Sequence, residues 1–130
     1  MKHILLVGLG GCLGSLARYK LGGLVLHHSA AWRFPLSTFV VNVLGCLIAG
    51  ALAGAIERHG LFSPDTRIFL FTGILGGFTT FSAFGLETAL LLKRGELLIG
   101  IVYPTLSVLC GVGAFLLSFA VVHVAWGPPH

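Results

Sequence analysis

Between Leu36 and Ile56 the chain runs for 21 residues without a formal charge. A helix of about 20 apolar residues is what it takes to cross the hydrocarbon core of a bilayer. The segment also carries the small residues of a packed membrane helix. Gly45, Ala49 and Ala53 fall at i, i+4 and i+8, and Gly50 pairs with Gly54 on a neighbouring stripe, so another helix can approach closely. Three further apolar segments surround it, at about 4–26, 68–92 and 97–126. The last has no formal charge over 30 residues, is long enough to tilt, and carries Pro104 as a site for a kink. The sequence therefore predicts an all-α membrane protein of one domain, 1–130, with four transmembrane helices and both termini on one side.

Composition sharpens what is excluded. Charged residues make up 9% of the chain and hydrophobic residues 56%, against about 25% charged in a soluble domain, so there is no soluble module. A net charge of +4 suits flanks near anionic headgroups or a path attractive to anions. It does not suggest nucleic acid, because no basic domain exists to carry the contact. Cys12, Cys46 and Cys110 are scattered without a CxxC pair and read as small buried residues rather than a disulfide framework or zinc site. The start resembles a targeting signal, but its apolar part before Cys12 is only about six residues, short of the roughly 7–15 of a signal core. It reads as a retained helix.

Orientation is weakly specified. Lys2, Arg58 and Arg67 flank one side; Arg33, Lys93 and Arg94 lie in the loops of the other. The balance stays even unless Arg18 and Lys20 are added to the second side. Those two basic residues lie deep in the first segment. Either the helix ends near Arg18, or both face a water-filled vestibule, or they snorkel to the interface. A weak bias fits insertion both ways round followed by antiparallel dimerisation. Four short helices with polar residues inside them also argue for an oligomer, in which a break in one helix meets its copy across a two-fold axis.

The break is expected in the third segment, at 76–80. Gly73-Ile-Leu-Gly-Gly-Phe-Thr-Thr-Phe-Ser-Ala-Phe84 holds three glycines, two threonines, a serine and three phenylalanines inside an otherwise apolar run. Adjacent glycines make a poor helix interior. Such irregular backbone survives in a membrane only where it is buried in protein or lines a wet cavity. Phe81 and Phe84 share a helix face on either side of Ser82. A phenyl edge is electropositive, so two edges could solvate a small anion. Asn42 is either an interhelical clamp or a donor into a pore, with Thr38 one turn before it. Glu87 is an intramembrane acid and so a functional candidate, unless it snorkels or pairs with Lys93 or Arg94. Tyr103 and Ser107 share a face of the fourth segment and could add hydroxyls to the same path. The Gly8–Gly14 run fails as a dinucleotide loop: Leu13 stands where the last glycine should, and no acid follows until Glu57. Gly10 and Gly14 make a GxxxG packing face instead. No nucleophile–base set, metal-binding histidine pair or phosphate loop is present; no enzyme is expected, and there are no catalytic residues.

These residues resemble the Fluc (CrcB) family of fluoride ion channels over essentially the whole chain. Gly10-Gly-Cys-Leu-Gly-Ser-Leu-Ala-Arg-Tyr19 is similar to the family's GGxxGAxxRY, with Ser15 in place of alanine. Thr38-Phe-Val-Val-Asn-Val-Leu-Gly45 matches T-x-x-x-N-x-x-G, and Gly73–Phe84 matches G-x-x-G-G-x-T-T-F-S-T-F, with Ala83 where threonine is frequent. Ala83 lacks the hydroxyl and is given no pore role.

The resemblance implies a dual-topology, antiparallel homodimer with two pores in a bacterial inner (plasma) membrane. It implies passive, selective fluoride export that protects against fluoride toxicity. Phe81 and Phe84 would line the path, with Ser82 beside them, and Asn42 would donate to the ion. Thr38, Glu87, Tyr103 and Ser107 would continue a polar track. Arg18 and Lys20 would form an anion-gathering vestibule. The carbonyls of Gly76 and Thr79 from both subunits would hold a structural Na⁺ at the dimer centre, a use of unwound membrane backbone with general precedent. The main alternative is a small dual-topology proton-coupled exporter of the multidrug type, which needs a membrane carboxylate, often in the first helix; here that segment has none. A non-transporting structural subunit would leave the Asn42, Thr79-Thr80 and Phe81/Phe84 set unexplained.

Overall fold

A computed structural model describes Met1–Ala125; Trp126 and the tail Gly127–His130 lie outside the described residues. The described chain is all-helical, and four spans are long and apolar enough to cross a membrane. The first is α1 (Lys2–Ser29) and the second α2 (Leu36–His59). The third is composite: a short α3 (Pro64–Arg67), a π-helical stretch (Ile68–Leu75), α4 (Gly76–Phe78) and, after a break, α5 (Phe81–Lys93). The fourth is α6 (Leu97–Ala125), which Pro104 enters without ending.

The boundaries follow local chemistry. Helix α2 stops at Gly60, whose left-handed backbone (φ 61°, ψ 25°) lets its N–H reach the Ile56 carbonyl at 2.8 Å. Four residues later Pro64 takes the first helical position, where its missing N–H costs nothing, and the Ser63 hydroxyl accepts from the Thr66 amide. Helix α1 does not end near Arg18. No proline or capping signal interrupts it, and it continues to Ser29, roughly 42 Å at 1.5 Å per residue. Of the three readings of Arg18 and Lys20, the early helix end is therefore excluded.

Glycines decide which spans touch. A methyl on Gly10 would lie 2.8 Å from the Gly73 Cα, and one on Gly14 would overlap the Ile74 carbonyl oxygen. A methyl on Gly50 would overlap the Phe115 carbonyl, and one on Gly54 would meet the Phe119 carbonyl at 2.7 Å. In both pairs the contacts advance in the same direction along the two helices. Helix α1 thus lies parallel to the third span and α2 parallel to α6, each pair held at backbone contact by small residues. The ends agree: Lys2 and His3 meet Asp65 at one end of the bundle, and Arg33 approaches Glu96 at 4.0 Å at the other. The inner layer is small, with Val41, Ala55, Leu75, Phe78, Leu91 and Tyr103 as its buried hydrophobic residues. Leucines and isoleucines such as Ile4 (71% exposed) and Leu98 (77%) point outward, the arrangement lipid demands and water does not.

The third span is broken, and the break is shorter than the glycine pair suggests. Gly76 is helical (φ −62°, ψ −37°) and Gly77 belongs to α4; only Thr79 (φ −82°, ψ 157°) and Thr80 (φ −146°, ψ 118°) are extended. The glycine at 77 serves the packing instead, because a methyl there would meet the Gly11 carbonyl at 2.5 Å.

Candidate functional site

Several polar contacts in the middle of the bundle gather on the two extended residues. The preceding helix closes at Thr79, whose N–H and Oγ1–H both donate to the Leu75 carbonyl, each at 2.9 Å. The next helix opens at Thr80, whose Oγ1 accepts from the Ala83 amide at 3.2 Å, the normal duty of an N-cap threonine. Between them the Asn42 carboxamide reaches across from α2. Its Oδ1 accepts from the Thr80 N–H at 2.8 Å and its Nδ2 donates to the Thr80 carbonyl at 2.9 Å. Asn42 is therefore an interhelical clamp, and one of its two amide hydrogens remains beyond that clamp.

These bonds have a consequence for the backbone before the break. In a continuous helix the Gly76 carbonyl would receive the Thr80 amide and the Thr79 carbonyl the Ala83 amide. Thr80 gives its amide to Asn42, and Ala83 gives its amide to the Thr80 hydroxyl. Both carbonyls lose their helical donor. Gly76 is exposed on the outside of the single subunit. Paired carbonyl oxygens suit a small hard cation, so Gly76 and Thr79 fit a sodium ion by donor type. Among the described residues no group of three histidine, cysteine or acidic side chains could hold a metal.

On one side of the break lies a cavity of about 270 Å³ lined by Asn42, Cys46, Thr79, Thr80, Phe81, Phe84, Ser107 and Val108. Phe81 and Phe84 stand with ring centroids 5.4 Å apart, and Phe84 is 5.5 Å from Tyr103. Phe81 is 83% exposed in the single subunit, whereas Tyr103 is completely buried. The Ser107 Oγ is buried and has no hydrogen-bond partner. A second cavity of about 500 Å³ lies on the other side. It is lined by Arg18, Tyr19, Ser37, Thr38, Thr80, Ala83 and small and apolar residues of α1 and α2. Thr80 belongs to both walls.

Glu87 neither snorkels nor pairs with Lys93 or Arg94. Its carboxylate accepts from the Thr38 hydroxyl and from the Tyr103 hydroxyl, both at 2.7 Å. This trio ties α2, α5 and α6 together next to Phe84. Tyr103 is held from its other side by an edge-to-face contact with Phe34 at 5.3 Å.

The sequence candidates thus fall into three groups. Asn42, Phe81, Phe84 and Ser107 share one cavity, Thr38, Glu87 and Tyr103 form a hydrogen-bonded cluster beside it, and Arg18 lines the second cavity. Lys20 is exposed and lines neither cavity, and Ser82 is exposed with its Oγ 3.4 Å from the Thr80 Oγ1. Cys46, read from sequence as a small buried residue, lines the cavity, one helical turn beyond Asn42. That spacing is the signal that points to it. Thr80 carries the most connections of any residue at the site, and only its long-range pairing reveals this.

The chain matches the family model described as CrcB-like protein, Camphor Resistance (CrcB), over residues 5–119. It is 52% identical over 122 residues to the "Fluoride-specific ion channel FluC" of Methylobacillus flagellatus, covering 94% of this chain and 95% of the relative. It is 46% identical over 118 residues to the protein of the same name from Nitratidesulfovibrio vulgaris, covering 91% and 94%. With that of Rhodospirillum centenum it shares 42% identity over 125 residues, covering 96% and 98%.

Proposed function

Because the chain belongs to the CrcB family, we propose that it is a fluoride-specific ion channel of a bacterial membrane, letting fluoride leave the cell passively and so conferring resistance to fluoride. The observation that carries this reading is the lining of the smaller cavity: donors and phenyl rings, without an acid or a base. Fluoride gives up its water reluctantly, and a path for it must supply replacements. The remaining Asn42 amide hydrogen and the partnerless Ser107 hydroxyl supply directed donation, and the edges of Phe81 and Phe84 supply diffuse positive potential. A bore set by rigid rings excludes chloride by size. Arg18, in the wider cavity across the break, raises the local concentration of anions. Thr38, Glu87 and Tyr103 hold Phe84 and its helix in place, and the Glu87 carboxylate with the two hydroxyls that donate to it continues the polar surface.

The working unit in this reading is an antiparallel homodimer. Two features support it. Phe81 is largely uncovered in one subunit, and the released carbonyls of Gly76 and Thr79 need a partner. Sodium bound between the four carbonyls of two subunits would supply a fixed positive charge that offsets the burial of passing anions. Nothing favours the proton-coupled exporter: α1 has no carboxylate, and Glu87 is occupied by two hydroxyl donors.

Purified protein in liposomes loaded with fluoride or chloride tests the reading with an ion electrode. Fluoride leaves rapidly and chloride does not, and Phe81→Ile and Asn42→Asp each cut fluoride efflux by more than about tenfold, the effect of losing roughly 1.4 kcal/mol of stabilisation along the path. Undiminished fluoride efflux from both variants would sink the assignment.

A further inference from the structure

A helical residue cannot offer its own N–H and C=O to one partner, because the two groups point opposite ways along the axis. An extended residue can, since both groups then project to the same side of the chain. Thr80 (φ −146°, ψ 118°) is such a residue. The Asn42 carboxamide presents a matching edge, its oxygen and the hydrogen syn to it, and pairs with both Thr80 groups at 2.8 and 2.9 Å. The double pairing dictates which end of the amide is nitrogen. It consumes the syn hydrogen and leaves the anti hydrogen as the donor of a residue that lines the phenyl cavity.

The same residue explains the released carbonyls. Its N–H goes to Asn42 instead of the Gly76 carbonyl, and its hydroxyl captures the Ala83 N–H that would otherwise reach the Thr79 carbonyl. The capping bond also holds Thr80 at the mouth of α5 in the extended geometry that the clasp requires.

We propose that Thr80 is the positioning residue of the ion path: it orients the donor hydrogen of Asn42 and, through the same bonds, frees the Gly76 and Thr79 carbonyls, so that anion donor and cation ligands are set together and lost together. The proposal rests on the fluoride-channel reading above. It makes Asn42, which supplies no ligand to the cation, necessary for cation binding, a connection that a purely structural threonine would not create.

Two measurements test it. In liposomes, Thr80→Ala lowers fluoride efflux by about tenfold, as loss of a capping oxygen and the geometry it holds implies, and Thr80→Ser restores most of the flux. In detergent, the melting midpoint is compared in sodium chloride and in caesium chloride at equal ionic strength. The wild-type protein gains a sodium-specific increment; Thr80→Ala and Asn42→Ala both lose it, and Thr80→Ser keeps it. A merely structural role would lower the midpoint in both salts and leave the increment intact. Should Thr80→Ala fail to fold, Thr80→Val replaces it, because its branched side chain favours the extended backbone but lacks the hydroxyl. Wild-type flux in Thr80→Ala, an increment that survives in both variants, or a wild-type protein with no sodium increment overturns the proposal. Absence of fluoride efflux from the wild-type protein overturns the channel reading itself, whereas fluoride efflux shared equally by wild type and Thr80→Ala overturns only the role of Thr80.

Discussion

Glu87 shows how far chemistry at a single residue can be read in advance. Its position inside an apolar segment marks it as functional by default. What cannot be read is which partners lie within reach, because Thr38 is 49 residues away and Tyr103 is 16. Those partners define its contacts: two hydroxyls share one carboxylate, and no basic side chain enters. A hydrogen bond to a charged group contributes roughly 1.5–3 kcal/mol, and its loss leaves a buried acceptor short. Tyr103→Phe is therefore expected to lower the melting midpoint in detergent clearly. Thr38→Val should act in the same direction, and the double variant should depart from additivity, since both hydroxyls serve one acceptor. Additive losses in thermal melts would mean that the two bonds are independent. Asn42 is the complementary case. From sequence it is either a clamp or a donor. The two hydrogens of its amide let it be a clamp while retaining one for donation.

At the level of helices, the four spans and their approximate ends are legible because they follow from charge-free length and from the charged and proline-bearing segments between them; the Gly60 cap that ends α2 is seen only in the structure. The break is legible both as an event and within 76–80, but it is confined to Thr79 and Thr80. Helix propensity points to Gly76-Gly77, and it is a weak prior that tertiary context overrides. The backbone opens two residues later, where α2 delivers an amide able to replace the lost helical bonds. The glycines instead set helix spacing. Gly14→Val is expected to drive α1 away from the third span, with an overpacking cost of about 1–3 kcal/mol or more. Gly8→Val is the control, because no atom lies within 4 Å of a methyl there. Size-exclusion profiles and thermal melts should separate the two, with Gly14→Val losing folded yield and Gly8→Val keeping it.

For the whole molecule, the near-even balance of basic residues between the two ends is compatible with the antiparallel assembly proposed above. If both orientations are needed, tilting that balance should inactivate the protein without touching the path. Ser63→Lys with Leu61→Lys adds two charges to the second loop and should force one orientation. Fluoride efflux then falls, and returns on co-expression with a variant biased the opposite way by added lysines near Gly95. Activity from the single biased variant would exclude the antiparallel arrangement. The exposed face around Phe81 and Gly76 bears on gene dosage. In the proposed dimer the exposed Phe81 ring and Gly76 backbone would be covered by a second copy, so the active form would depend on encounter between two subunits, and the stability of such a pair cannot be separated from concentration. At low copy number the number of active pairs then falls with the square of the number of subunits, and only pairs inserted in opposite senses count. A cell with half the transcript would keep well under half of its protection.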